Sequence, residues 1–461
     1  MQRSFRFDPR CAAAGQARRF VSILFGGYQR LFGQVHITFH RRRAPLYRFS
    51  PSGKPLTKGN AMKILVLSTW FPYPCSQGSK TRAYYLIKAL ASRHQVKLIS
   101  FEDQPVKAEW AARVAEFCEE IKILPRPPFH EPRLKSILGL FSTQPRSAYA
   151  SYSREMEALV TATAAAWQPD LIFALTITTA PYALKVPGVR RIVDMDNLMS
   201  IMMKEVADKT ASFPRRLRKY LAFQKYRRYE DHIFSSFDNC LAVSDLDTRR
   251  VQQYTRVRPD QVVCVENGVD LDLDAFNPCA KNPHEMVYNG ALTYRLNFDA
   301  MKYFLADIFP AVQAEFPLSR IKITGSTEGV ALEHLRLNQN TLLTGFVDDI
   351  RPVVCSAEIC VVPLRRGGGT RLKILEAMAL GTALVSTTKG AEGLDIEAGS
   401  DYLQADSPRE FAQAISRLFQ DHELQQRLTE QARKTVEAKY GWGVAGNHLL
   451  NAVDRLFSKP G

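Results

Sequence analysis

From Met62 onward, short apolar runs alternate with longer stretches in which apolar residues recur at every third or fourth position. The runs at 63–68, 96–101, 121–124, 170–174, 191–194, 239–243 and 262–265 predict strands. Between them, 81–91, 108–117 and 153–167 have helical spacing, with Leu86, Ile87 and Leu90 on one face of the first. A strand that is apolar throughout needs both faces covered, so this alternation predicts parallel sheets flanked by helices. The plan then repeats. Strands are expected at 286–289, 320–324, 341–344, 357–363 and 382–386, and helices at 298–312, 370–380, 408–438 and 441–457.

Two α/β units suit a chain of 461 residues, which is too long for one ordinary domain. The connection is expected at 271–283, rich in Asp, Asn and Pro. The predicted organisation is a basic, disordered extension over 1–61, a first Rossmann-like domain over 62–275, a second over 283–440, and a terminal helix over 441–461. In open parallel sheets ligands gather at the carboxyl ends of strands, so the residues just after each strand are the informative ones.

Charge sharpens the division. Residues 1–61 hold twelve Lys or Arg and one acid, Asp8, which is +11 of the net +16 and leaves +5 for the other 400. The body carries no basic cluster with stacking aromatics that lacks another explanation, so no nucleic-acid footprint is read from it. The extension has no sustained period, and two readings stay open: translation starting at Met62, or a targeting or membrane-surface arm. The eight cysteines form no C-x-x-C and no zinc spacing, which fits a reducing compartment. No apolar run is long enough to span a membrane, and the patch at 20–25 lacks a cleavage site after it. A cytoplasmic protein is expected, with no metal and no other cofactor.

The segment with the most chemistry runs from Pro363 to Met378: strand, three glycines (Gly367, Gly368, Gly369), then helix. Such a loop lets the backbone approach a ligand and turn several N–H groups toward one anion. Thr370 is the expected N-cap, which puts Arg371 and Lys373 in the first turn, where cations oppose the helix dipole. A bound phosphate relieves that conflict. Lys373 and Glu376 share a face, so one suits phosphate and the other the hydroxyls of a ribose. The plainer alternative is a solvated helix start with an incidental ion pair.

Residues 369–381 resemble the donor-binding signature of retaining glycosyltransferase family 4, of the GT-B fold. The resemblance runs from Met62 to near Phe457. It implies two Rossmann-like domains facing each other across a cleft, a nucleotide-sugar donor on the second and a glycan or lipid-linked acceptor on the first. It also implies transfer with retention and without metal. Glu376 matches the second of the family's two glutamates, expected on the donor ribose. The first would fall on Gly368, which is not acidic. Ser68 to Pro74 followed by Gly78 resembles the loop that closes over donor phosphates. Val243-Ser244-Asp245 and Val265 to Asp270 resemble the paired segments before the linker. Gly325 resembles the close-approach glycine, and Gly345-Phe346-Val347 the segment whose backbone meets the nucleobase. Trp442 and its helix resemble the terminal helix that crosses back to the first domain.

Two departures stand out. Where many members have a histidine, this chain reads Asp194-Met195-Asp196-Asn197, and Asp196 is the candidate near the reacting sugar carbon; its alternative is a turn residue. After Gly290 the family's diphosphate-binding arginine and lysine are replaced by Arg295 and Asn297, so Arg371 and Lys373 are candidates for that duty. These variations look closest to the branch found with bacterial exosortase and exopolysaccharide systems. Residues 214–228 are basic with interleaved Tyr220, Leu221 and Phe223, and read either as a solvated helix face or as a site for an anionic inner leaflet, with 137–141 inserting beside it. Two other functions stay open: a GT-B epimerase or hydrolase, and a non-catalytic subunit of a polysaccharide assembly. A nicotinamide dehydrogenase is disfavoured, because no G-x-G-x-x-G follows the first strand.

Overall fold

The computed structural model describes residues 36–38, 46–48, 61–127, 145, 151–196, 198–271 and 280–458. Apart from 36–38, 46–48 and Ala61, the extension expected to be disordered lies outside these residues, as do 137–141 and most of the linker. In the extension only a short antiparallel pair is described, β1 (His36–Thr38) with β2 (Leu46–Arg48).

The first domain is built on β3 (Lys63–Ser68), β4 (Gln95–Glu102), β5 (Glu120–Pro125), β6 (Leu171–Leu175), β7 (Arg190–Asp194), β8 (Asn239–Ala242) and β9 (Val262–Cys264). They form one parallel sheet in the order β5-β4-β3-β6-β7-β8-β9. Successive residues of β3 enter opposite cores: Ile64 and Val66 pack on one face, Leu65 and Leu67 on the other. Two buried faces explain why the strand is apolar at consecutive positions.

The second domain has β10 (Asn282–Asn289), β11 (Arg320–Thr324), β12 (Thr341–Gly345), β13 (Ala357–Val362), β14 (Ala383–Ser386) and β15 (Leu403–Gln404). Their order is β12-β11-β10-β13-β14-β15, again all parallel. In each domain the strand order reverses beside the first strand, which opens a crevice at the carboxyl ends of β3 and β6, and of β10 and β13.

The helices that bear on the crevice are α1 (Gly78–Ala91), α2 (Met199–Asp208), α3 (Phe213–Phe234), α4 (Arg295–Tyr303), α5 (Leu372–Ala379) and α6 (Trp442–Ser458). The helix expected at 298–312 starts earlier, at Arg295, and widens into a π turn over Phe304–Ile308 before Phe309–Glu315. Pro310 has no N–H to continue the ladder at that point. The helix expected at 408–438 is broken at Asp421, whose carboxylate caps the next helix at the Leu424 N–H, 2.9 Å away.

The terminal helix α6 packs on the first domain. Trp442, Leu449, Leu450, Val453 and Leu456 join the core containing Ile64 and Leu86. Trp442 stacks on Tyr85 with centroids 4.8 Å apart. The two crossings between domains are pinned together, because the Val269 N–H donates to the Tyr440 carbonyl at 2.7 Å. Gly268 is obligatory there: a Cβ would lie 2.8 Å from the Trp442 nitrogen.

Candidate functional site

The second-domain half of the site grows from the ends of β10 and β13. Gly367 (φ +100°) and Gly369 (φ +78°) hold the loop after β13 in a conformation that favours glycine. The helix that follows begins at Leu372, two residues later than the cap expected at Thr370. Arg371 stands in the N-cap place with φ −87° and ψ 81° and makes no side-chain cap. Its guanidinium turns back instead and donates to the Gly367 carbonyl at 2.8 Å and to that of Gly368. Arg371 is buried, with only Nε lacking a partner. It braces the loop, which corrects the expectation of a first-turn cation free to meet phosphate. Thr370 donates to the Val243 carbonyl across the domain gap, at 3.4 Å.

Lys373 is in the first turn of α5, where no acid accompanies it. Its ammonium lies 3.9 Å from the centroid of the Tyr288 ring and donates to Asn297 Oδ1 at 3.1 Å. The same oxygen accepts from the Tyr288 hydroxyl at 2.7 Å. The ammonium reaches this place only because residue 290 is glycine, since a Cβ there would sit 2.6 Å from Nζ. Burial pushes Lys373 down to about 7. Glu376 does not pair with it; Asn289 Nδ2 donates to Glu376 Oε2 at 2.5 Å. Burial pushes that carboxyl up to about 7, against the opposing effects of Asn289 and Lys373. The incidental ion pair is thus absent, and two poorly solvated ionisable groups stand at one crevice, a pattern that marks functional sites.

Arg295 opens α4 and is exposed, again with no acid in the first turn. Gly325 (φ +91°) lies against Ala291, where a Cβ would fall 2.6 Å from the Ala291 nitrogen; this fixes the turn after β10. The Gly325 N–H donates to the Gly345 carbonyl at 2.8 Å. Just beyond, Phe346 is exposed and Val347 half-buried.

The first domain brings α1 to the same place. Gly78 is its first residue, and a Cβ there would lie 3.1 Å from Leu372 Cδ1 at the start of α5. Two helix N-termini therefore meet across the cleft, neither with an acid in its first turn. Ser79 Oγ donates to Asp196 Oδ2 at 2.5 Å. Asp196 shares a crevice with Gly368, Gly369 and Glu205. Asp194, two residues earlier, is spent elsewhere: Arg82 Nη2 is 2.7 Å from its Oδ1, and both side chains are buried. The cleft is bridged by Lys389–Glu205 at 2.9 Å and Arg250–Glu392 at 3.1 Å.

The structure thus brings Asp196, Gly368 and Gly369 into one crevice. Gly78, Lys373 and Glu376 stand at the helix starts and strand end beside the glycine loop. Arg295 opens α4 after β10, Gly325 supports that turn, and Phe346 and Val347 follow β12. Sequence reasoning missed Ser79, Glu205 and Tyr288, and gave Asn289 and Asn297 no role. Their signal lay in position: Asn289 ends β10, and Ser79 lies in the first turn of α1.

Comparison with known proteins agrees with this layout. Residues 283–421 match the family model described as glycosyl transferases group 1, and residues 76–273 that of glycosyltransferase family 4. Over 120 residues the chain is 33% identical to YtcC of Bacillus subtilis, named as a glycosyltransferase; the match spans 25% of this chain and 30% of YtcC. Sucrose-phosphate synthase from Thermosynechococcus elongatus superposes with a TM-score of 0.63 at 17% identity, over 86% of this chain and 99% of that one. HepE from Anabaena, solved with UDP-glucose, gives 0.61 at 14%, over 86% and 100%. Each of the two domains thus matches a glycosyltransferase family model, and the two parallel sheets are laid out as in those structures, so the chain has the GT-B fold.

Proposed function

We propose that the protein moves a sugar from a nucleoside diphosphate sugar, held mainly by the second domain, to a glycan or lipid-linked acceptor on the first. In this reading transfer proceeds with retention, in the making of a bacterial polysaccharide. It takes place in the cytoplasm, at the inner face of the membrane. The carrying observation is Lys373: a poorly solvated cation at Gly290, beside a glycine loop and two facing helix N-termini. That arrangement suits a diphosphate, whose charge grows as it leaves. Arg295 adds a second cation, Glu376 takes the ribose, and the base lies along Phe346 and Val347. The reading calls for no metal, so a chelator leaves turnover unchanged. HepE, with UDP-glucose bound in the same fold, supports the choice of donor class. The hydrolase or epimerase alternative loses half of its acidic pair, because Asp194 is tied to Arg82.

A thermal-shift screen of nucleoside diphosphates identifies the base, since a ligand at a hundred times its Kd adds about 2.7 kcal/mol. Calorimetric titration then tests the site. Lys373→Ala weakens the diphosphate by about 1.5–3 kcal/mol, roughly 10- to 150-fold, and the bare nucleoside hardly at all. Glu376→Ala weakens both. An unchanged diphosphate affinity in Lys373→Ala removes the phosphate site and favours the non-catalytic subunit.

The pH dependence has a definite sign. A diphosphate holds Lys373 charged, whereas in the empty site it loses its proton near pH 7. Binding above pH 7 therefore takes up a proton, and affinity falls as pH rises, by up to about tenfold per unit. Glu376 works the other way, since a ribose hydroxyl favours its ionised form. The ratio of diphosphate to nucleoside affinity isolates Lys373: it declines above pH 7 in the wild type and stays flat in Lys373→Ala.

A further inference from the structure

The hairpin α2–α3 has an apolar face that the fold does not use. The second half of α3 buries Ile233 and Phe234 in the first-domain core, and Phe223 is buried at mid-helix against Tyr254. Its first half points Phe213 (65% exposed), Leu217, Tyr220 and Leu221 (53%) into solvent, and Val206 at the end of α2 is exposed beside them. Positions 213, 217, 220 and 221 follow helical spacing and form one stripe, about a third of a turn from the buried face. Packing explains the buried face alone. A contiguous exposed apolar patch marks a contact surface.

The charge around the stripe identifies the contact. Arg215, Arg216, Arg218 and Lys219 lie on the flanks and back of the same turns, and no acid occurs between Lys209 and Tyr229. Among the described residues none of these four cations forms an ion pair, although the Arg216 guanidinium lies 5.9 Å over the Phe213 ring. Apolar side chains on one face and unpaired cations on the other are what a helix lying in the plane of an anionic bilayer presents. A second copy would set like charge against like charge. The aliphatic Leu217 and Leu221 match nothing in a nucleic acid backbone. No helix among the described residues is long and apolar enough to cross a membrane.

We infer that the α2–α3 hairpin is an in-plane membrane anchor, whose tip beds Phe213, Leu217 and Leu221 among the acyl chains while its cations meet anionic headgroups. The root of the hairpin gives this docking a consequence. Leu198, Ile201 and Met202 line the crevice that holds Asp196 and Gly368. Helix α2 is about 15 Å long at 1.5 Å per residue, so the reaction crevice at its root lies within roughly that distance of the bedded stripe and is held near the headgroups. Of the two acceptor classes, the anchor favours the one carried on a lipid; that last step rests on the sugar-transfer reading, and the docking does not.

Cosedimentation of the full chain with vesicles tests it, using phosphatidylcholine alone or mixed with phosphatidylglycerol, at low and high salt. The wild type pellets with the mixed vesicles and is released as salt rises. Phe213→Ser/Leu217→Ser/Leu221→Ser lowers partitioning roughly tenfold or more even at low salt. Arg215→Gln/Arg216→Gln/Arg218→Gln/Lys219→Gln loses the salt-sensitive part. Both variants melt like the wild type and bind the nucleoside diphosphate that stabilises it most in the thermal-shift screen equally well, which separates lost docking from lost folding. Wild-type partitioning by the serine variant overturns insertion. Equal binding to both vesicles overturns the role of the cations. Binding to neither, or self-association or RNA binding through this face instead, overturns the anchor. Failure of the wild type to bind any nucleoside diphosphate counts against the transfer reading and leaves the docking standing.

Discussion

Replacing Arg82 with methionine lowers the stability of the first domain by about 3–5 kcal/mol, the usual cost of leaving one partner of a buried ion pair alone. Asp194 is 2% exposed and accepts from Arg82 Nε at 2.9 Å and from Nη2 at 2.7 Å. Arg82 Nη1 donates to the Val265 carbonyl at 2.9 Å and to Asn267 Oδ1 at 3.1 Å. One guanidinium therefore ties α1 to the end of β7 and to the loop leading into the second domain. Without it, a carboxylate and two backbone or amide acceptors stay buried and unsatisfied. The double variant Arg82→Met/Asp194→Leu removes both charges and recovers much of the loss. Urea unfolding followed by tryptophan fluorescence measures both, read as the first domain's own transition because a two-domain chain need not unfold in one step. A double variant no better than the single one assigns the cost to lost packing and hydrogen bonds, not to the stranded charge.

That pair also marks where sequence reading stops. Asp194 and Asp196 are two residues apart and equally acidic on the page. Arg82, more than a hundred residues earlier, separates them by claiming the first. The same limit explains the glycine loop. Thr370 is a good cap and local rules put it there, but the carbonyls of Gly367 and Gly368 hold the Arg371 side chain, and Arg371 takes the cap place one residue later, with the helix starting at Leu372. The cradle around Lys373 is equally non-local, since Tyr288 and Asn297 flank a different strand end. Whatever rested on burial was legible. Strands covered on both faces are apolar at every position, their order of appearance implies crossovers, and glycines after strands mark the crevice. Helix α3 was half legible: its charge was plain, but the angle between its two apolar faces became clear only when one of them was seen to be buried.

The second large effect concerns Asp196, under the proposed transfer. As the diphosphate leaves, positive charge develops at the sugar carbon and ring oxygen, and a carboxylate in a poorly hydrated crevice stabilises it. Asp196 is placed for this. It lies across from Gly368 and Gly369, and the Ser79 hydroxyl fixes its orientation. In the proposed reading donor affinity comes from Lys373, Glu376 and Arg295 on the other domain. Asp196→Ala should therefore leave the Kd for the donor within a few-fold and cut kcat by about 10²–10³, the range seen when one preorganised electrostatic group is removed. Asp196→Asn separates charge from shape: it keeps a partner for Ser79 and loses the carboxylate, so a charge role makes it as slow as alanine. If Asn restores the rate, Asp196 only positions α1. If kcat is unchanged in both, Asp196 is the turn residue that its place after β7 also allows, and the charge on the sugar must be met from elsewhere in the crevice, with Glu205 the next side chain to replace.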